Sequence, residues 1–176
     1  MRRIRTAVGI ALASALAACV AGTSVSAPGI DALQQDPCAV PSALLDGAGL
    51  TSPPYQRGPV GIEFAGWSGC IWRDGRGAQD FAVYIGAGST ETMLADPRYQ
   101  DYTSVGPTAV AGMEATEIAD RLDPQRSERC YTAVDLASEV VLLWTRIVPG
   151  GPGVDSEPCA EVRRIGAMIL PLFSAS

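Results

Sequence analysis

Apolar positions along this chain follow two rhythms. At the C-terminal end, Val162, Ile165, Ile169 and Phe173 recur at helical spacing, while Glu161, Arg163 and Arg164 are left to face water. That pattern predicts an amphipathic helix. Asp155 or Ser156 would cap it, and Glu157 and Pro158 would fill its first turn. A second, shorter helix is predicted from Asp36-Pro37 through Cys38, Val40, Leu44 and Leu45, ending at Gly47 and Gly49. Between these helices the rhythm is mostly that of extended chain. Val60, Ile62 and Phe64 alternate up to Trp67, Ser68-Gly69 interrupts, and Cys70 to Arg73 resumes before the turn Asp74-Gly75-Arg76-Gly77. Phe81 to Ile85 is a compact apolar strand, and Gly86 to Ser89 is a turn. Thr90 to Leu94 reads as a short helix with Glu91 near its positive end.

The second half repeats the extended pattern. Pro97 to Pro107 carries Tyr99 and Tyr102 and reads as irregular, and Val110 to Asp120 as a strand broken near Gly112. A turn at Leu122-Asp123-Pro124 leads to the strands Cys130 to Leu136 and Val140 to Val148, then to the loop Pro149 to Gly153. The order is helix, about three strands, a short helix, about three strands, helix. Tight connections favour antiparallel pairing. The expected fold is therefore α+β: an antiparallel sheet of about five to six strands, packed by the N- and C-terminal helices.

The first 35 residues follow neither rhythm. Arg2, Arg3 and Arg5 form a positive start, an apolar run extends from Ala7 to Ala18, and small residues lead into Cys19. This is the anatomy of an export signal. The apolar run is too short for a spanning helix, which needs about 20 residues. The twin arginine lacks a convincing apolar consensus after it, so general secretion is the expected route. Leu16-Ala17-Ala18-Cys19 resembles the lipobox of bacterial lipoproteins, in which the cysteine is acylated and becomes the mature N-terminus. Two acyl chains, palmitate among them, would hold a protein at a membrane at about 0.8 kcal/mol per buried CH₂. The expected organisation is a signal over residues 1–18, a small and polar tether over 19–35, and one α+β domain over 36–176.

Composition changes this picture in one respect. The chain has 13 basic residues, all arginine, and 19 acidic ones. Removing the three signal arginines leaves ten against nineteen, a net charge of −9. An acidic domain is a poor partner for nucleic acid or for anionic lipid, so membrane contact falls to the lipid at Cys19. The absence of lysine, histidine and asparagine, with abundant Ala, Gly and Pro, points to a GC-rich bacterial genome.

Setting Cys19 apart leaves Cys38, Cys70, Cys130 and Cys159. An even number in an exported chain reads as two disulfides. Three pairings are open, and sequence does not choose among them. The nearest-neighbour pairing, Cys38–Cys70 with Cys130–Cys159, is favoured, each bridge closing a loop worth about 3–4 kcal/mol. Without a C-x-x-C spacing or a histidine, metal ligation and redox exchange are not expected.

Candidate chemistry is sparse. With no histidine, Ser-His-Asp and Cys-His catalysis and the commonest metal ligand drop out. Gly66-Trp67-Ser68-Gly69 misses the nucleophile-elbow pattern at Cys70, and Gly86-Ala87-Gly88 lacks the third glycine of a dinucleotide loop, where Glu91 stands. Asp74 and Asp80 bracket a loop without matching an EF-hand. Trp67, Trp72 and Trp144 are read as core more readily than as a binding groove. No cofactor is expected.

One resemblance spans nearly the whole mature chain. The lipobox at Leu16 to Cys19, Asp36-Pro37-Cys38 with Leu44 and Leu45, Cys70-Ile71-Trp72, Val110-Ala111-Gly112, Cys130 to Val134, and Cys159 opening the apolar helix resemble an uncharacterised family of small actinobacterial surface lipoproteins. The order and spacing of these short motifs carry the likeness. It implies an anchored protein facing outward from the cell membrane, and it carries over no catalytic residue. The layout also looks similar to PsbP/Mog1-like α/β/α sandwiches, which mostly bind partners; that is an analogy of fold. The expectation is a non-enzymatic binding or accessory domain at the cell envelope, with a protein or cell-wall component as partner. Two alternatives stay open: a carrier of a lipid or apolar small molecule, and a cell-wall enzyme using a carboxylate pair.

Overall fold

The structure is a computed structural model and describes residues 36–150 and 157–174. The signal, Cys19, the tether and the expected helix cap at Asp155 or Ser156 lie outside the described residues.

Seven antiparallel strands form one sheet in the order β1-β2-β3-β7-β6-β5-β4. They are β1 (Gln56–Arg57), β2 (Ser68–Arg73), β3 (Gln79–Ala87), β4 (Tyr102–Val110), β5 (Met113–Asp120), β6 (Arg129–Leu136) and β7 (Glu139–Ile147). The fold is α+β as expected, with more strands than the five or six read from the sequence. Two hairpins, β2–β3 and β6–β7, meet along the long β3–β7 pair, which runs from Gln79↔Ile147 to Ala87↔Glu139. Both central strands are buried on their two faces, which explains their unbroken apolar runs.

One face of the sheet is covered by helices: α1 (Ser42–Ala48), α3 (Pro158–Ile169) and α4 (Pro171–Ser174). The α3 helix packs across β4, β6 and β7. Its Val162, Ile165 and Ile169 join Trp72, Phe81, Val83, Val141 and Leu143 in a core that also holds all four cysteines. The bridges are Cys38–Cys70 and Cys130–Cys159, with Cα atoms 5.2 and 5.1 Å apart. The first ties the chain start to β2, and the second ties β6 to the start of α3. Close approach of α3 to the sheet requires Gly166. A Cβ there would lie 2.7 Å from Leu143 Cδ1 and 2.9 Å from Val110 Cγ1.

Proline positions reshape both expected helices. The N-terminal one splits into a 3-10 turn, Pro37–Ala39, and α1, because Pro41 lacks the N–H a continuous helix needs. Asp36 caps the turn, its Oδ1 accepting from the Cys38 N–H at 2.9 Å. The C-terminal one breaks before Pro171, leaving Phe173 in α4.

Four other expectations are corrected. Val60 to Trp67 is not a strand: Gly61 and Gly66 sit at φ 101° and 91°, and residues 62–64 form a 3-10 turn. Ser68-Gly69 does not interrupt but opens β2. Residues 102–107, the end of the stretch read as irregular, belong to the edge strand β4, where Pro107 is tolerated and a bulge lies between Ser104 and Gly106. The break near Gly112 is a hairpin turn, with Ala111 at φ 54° and Gly112 at φ 79°.

Candidate functional site

The opposite face of the sheet has a lighter cover. Among the described residues only the six-residue α2 (Thr90–Ala95), the 62–64 turn and a second 3-10 turn, Pro97–Tyr99, lie over it. Ser89 caps α2 in a capping box with Thr92. Asp135, projecting from β6, accepts from the Thr90 N–H and hydroxyl at 2.7 Å each, stapling α2 to the sheet. This face is rich in aromatic rings. Phe64 sits 5.4 Å from Trp67, 5.3 Å from Tyr84 and 5.5 Å from Tyr99, centroid to centroid. Tyr102, Tyr131 and Trp144 continue the chain of ring contacts at 5.3 and 6.0 Å. Gly86 makes room for Trp67, whose ring would lie 2.4 Å from a Cβ on that residue. The three tryptophans thus divide: Trp72 fills the helix-side core, Trp67 packs into this aromatic cluster, and Trp144 lies on the open floor.

A cleft of about 820 Å³ opens over this face. Tyr84, Tyr131 and Trp144 contribute to its floor from β3, β6 and β7. The 60–64 turn and the segment after α2 contribute to its walls. Among the described residues five large apolar side chains are exposed, and four of them line this cleft: Tyr55, Val60, Ile62 and Leu122. Ile62 is 94% exposed and Leu122 78%. Arg73 lies over the Tyr55 ring at 4.3 Å and holds it at the rim.

A row of charges crosses the sheet at one end of the cleft. Arg73 on β2 pairs with Asp80 on β3, Nε to Oδ1 at 2.6 Å. Asp80, fully buried, also accepts from Arg146 Nη2 on β7 at 2.5 Å. Arg146 is the cross-strand partner of Arg129 on β6. Arg129 Nη1 donates to Asp120 Oδ2 on β5 at 3.2 Å. The order is Arg, Asp, Arg, Arg, Asp over five adjacent strands, with the cross-strand partners Arg146 and Arg129 at its centre. Burial works against the Arg129 charge, but Asp120, Tyr131 and Asp123 outweigh it and hold the guanidinium firmly protonated.

The loop before β6 sets Arg129 in place. Asp120 Oδ1 accepts from the Leu122 and Asp123 N–H groups at 2.7 and 2.8 Å. Asp123 in turn accepts from the N–H groups of Ser127, Glu128 and Arg129 and from the Ser127 hydroxyl. Burial raises the Asp123 carboxyl, yet these four donors prevail and hold it below the usual aspartate value. On the other face Arg126, turned by its φ of 56°, pairs with Glu117 beside the Cys130–Cys159 bridge. Glu117, Cys130 and Cys159 lie close enough to suit a metal, but both sulfurs are in the disulfide and Glu117 is held by Arg126 and Arg163.

The lining groups can bind by hydrogen bonding, charge and apolar contact. Each of the three lining carboxylates already accepts a donor: Glu63 from the Tyr102 hydroxyl, Asp101 from Arg121, and Asp120 from the backbone and Arg129. Burial pushes the Tyr84 phenol up to about 12, and burial above all raises Tyr102 and Tyr131 as well, so these phenols stay protonated at neutral pH. Asp74 and Asp80, the two aspartates that bracket the 74–80 loop, are each engaged separately. Asp74 accepts from the Ala78 and Gln79 N–H groups, and Asp80 is enclosed by arginines.

A family model described as a protein of unknown function (DUF3558) matches residues 13–172. The chain belongs to that family. No curated protein and no solved structure matches it significantly. The match covers the cleft and the described domain almost completely and attaches no activity to either.

The central residues of this cleft, Arg129 and Arg146, were not picked out from the sequence. A signal was present: Arg129 opens one buried apolar strand and Arg146 lies near the end of another, where an arginine needs a partner. What the sequence could not show is that five such positions line up in register.

Proposed function

We propose that this DUF3558 protein is an exported actinobacterial lipoprotein, anchored through Cys19 at the outer face of the cell membrane, and that its folded domain is a non-catalytic binding module whose ligand or partner occupies the cleft over the aromatic face. The observation that carries the binding reading is the concentration of exposed Tyr55, Val60, Ile62 and Leu122 around one concavity. Apolar side chains left in water and gathered around a cleft are the mark of a surface that is covered in use. The signal-like N-terminus and the two disulfides support an oxidising, extracytoplasmic setting. The absence of histidine and the engaged state of the lining carboxylates favour binding over catalysis.

Mass spectrometry of the mature N-terminus tests the anchor. A diacylated Cys19 and release of a Cys19→Ser variant from membranes are the expected results; an unmodified N-terminus overturns that part. A photo-cross-linking amino acid at Ile62, against the same group at Ala167 on the exposed side of α3, tests the cleft in living cells. A defined adduct at Ile62 and none at Ala167 is expected. Equal labelling at both, or none at either, overturns the binding reading.

A further inference from the structure

The charge row contains a feature its own ion pairs do not explain. Arg129 and Arg146 are direct cross-strand partners, and like charges in that relation destabilise a sheet. Asp80 and Asp120 stand outside the pair, one on each flank, so each aspartate engages its nearer arginine and neither lies between them. The Nε–H of Arg129 and the Nε–H of Arg146 are both buried without a hydrogen-bond partner. So is the Nε1–H of Trp144, a residue 9% exposed, two positions before Arg146 on the same face of β7. Trp144, Arg129 and Arg146 all line the cleft. Three donors without acceptors therefore belong to three neighbouring residues on the floor of one concavity. A buried donor without an acceptor is costly, and three on neighbouring residues favour an acceptor supplied from the cleft.

The surroundings specify what kind. The chain is acidic overall, at −6, yet the cleft is lined by four arginines against three carboxylates, a local reversal of sign. Guanidinium groups side by side match the oxygens of a phosphate or carboxylate. Beyond the arginines the cleft offers the apolar rim of Tyr55, Val60, Ile62 and Leu122. One molecule that satisfies both regions has an anionic head and an apolar body.

We propose that the cleft binds an amphiphilic anion, with its phosphate or carboxylate head received between Arg129 and Arg146 beside Trp144 and its apolar chain laid along Ile62 and Leu122. This inference rests on the binding reading above and names the ligand chemistry of that same site.

Isothermal titration of the full mature chain carrying Cys19→Ser, so that no acyl group of its own competes, tests it with four probes below their micelle concentrations: dodecyl phosphate, dodecanoate, inorganic phosphate and dodecyl maltoside. Dodecyl phosphate and dodecanoate are expected to bind, inorganic phosphate to bind at least about tenfold more weakly, and dodecyl maltoside not to bind measurably. Arg129→Gln should weaken dodecyl phosphate about tenfold, and Trp144→Phe, which keeps the ring and removes the N–H, about three- to tenfold. Arg146→Lys should also weaken it while keeping a cation beside buried Asp80. Thermal melts identify any variant that fails to fold, and Trp144→Phe then decides. Inorganic phosphate binding as tightly as dodecyl phosphate overturns the amphiphile in favour of a free anion. Dodecyl maltoside binding as tightly, with loss in Ile62→Asp, overturns the anionic head and leaves the cleft as a binding site. No binding of any probe, together with no specific adduct at Ile62, overturns both.

Discussion

The two faces of one sheet are finished in different ways. The helix-covered face is closed by Val162, Ile165, Ile169 and Phe173, and both disulfides lie within it. The other face is covered by short turns, carries most of the aromatic rings, and ends in a row of charges, buried aspartates paired with half-buried arginines, under an open cleft. The same strands supply both, since alternate residues of β3, β6 and β7 point to opposite sides. Phe81, Val83 and Ile85 face the helices while Asp80, Ala82 and Tyr84 face the cleft. The contrast separates the face that holds the sheet from the face that, on the proposed reading, is open to a ligand.

The sharpest way to break this division is to reduce the disulfides. Each closes a loop of about 30 residues, and losing both should cost about 6–8 kcal/mol in the chain-entropy model. Against a total of about 5–15 kcal/mol for a domain, this brings it near unfolding at 37 °C. Denaturant melts with and without a reducing agent measure the difference; a loss below about 1 kcal/mol would show that the helix-side core holds without its bridges. Next in size is truncation within that core. Ile165→Ala removes a fully buried side chain between α3 and the sheet and should cost about 2–5 kcal/mol.

How much of this contrast could be read beforehand depended on what each face is made of. The closed face announces itself through repetition: helical spacing in Val162, Ile165 and Ile169, and apolar runs in Phe81–Ile85 and Val140–Val148. Burial needs only apolar residues at the right period, and period is local. The edge strand β4 was hidden because Gly106 and Pro107 look like loop, while edge pairing and a bulge accommodate both. The cleft was hidden for a different reason. Arg73, Asp80, Asp120, Arg129 and Arg146 are scattered from position 73 to position 146, and their meeting depends on strand order and register. Val60, Ile62 and Phe64 gave a false strand because alternation is identical whether Ile62 packs or faces water. Two glycines at positive φ decide the matter here.

Alkaline titration sharpens the comparison, because Tyr84, Tyr102 and Tyr131 all stand on the cleft face and the helix-side core holds no tyrosine. Their phenols are raised by burial, Tyr84 to about 12. The folded state therefore keeps these protons more tightly than the unfolded chain. That contribution is intact below the ordinary value of 10.0 and is lost as pH rises from there through about 12. Phenolate absorbance and circular dichroism followed together should show these three ionising only as structure is lost. Ionisation of all five tyrosines while the fold persists would mean that water reaches these phenols in the folded state.

Acid acts on the loop that sets Arg129, with opposite sign and smaller effect. Asp123 is held below its ordinary 3.8 by the donors of Ser127, Glu128 and Arg129, which outweigh its burial. Its contribution is complete above that ordinary value and fades as pH falls through the lower, folded one. Asp123→Asn should flatten the acid limb of a stability–pH curve and loosen the loop that sets Arg129. An unchanged acid limb would assign acid sensitivity to other carboxylates.

The smallest effect on stability is the most telling about use. Ile62 and Leu122 are large, apolar and almost wholly in water, so Ile62→Ser with Leu122→Ser should change unfolding free energy by no more than about 0.5 kcal/mol. The same pair should weaken dodecyl phosphate, because covering each apolar side chain contributes about 25 cal/mol per Å² removed from water. A substitution that leaves the fold intact and damages binding separates the two faces of the sheet by experiment. If the double variant instead melts several degrees lower, the 60–64 turn is packed in solution, and exposure at Ile62 is no longer evidence of a ligand. If stability and dodecyl phosphate affinity are both unchanged, the apolar rim is not the surface that the chain of an amphiphile covers. Only loss of affinity at constant stability keeps Ile62 and Leu122 as the apolar half of a site whose charged half is Arg129 and Arg146.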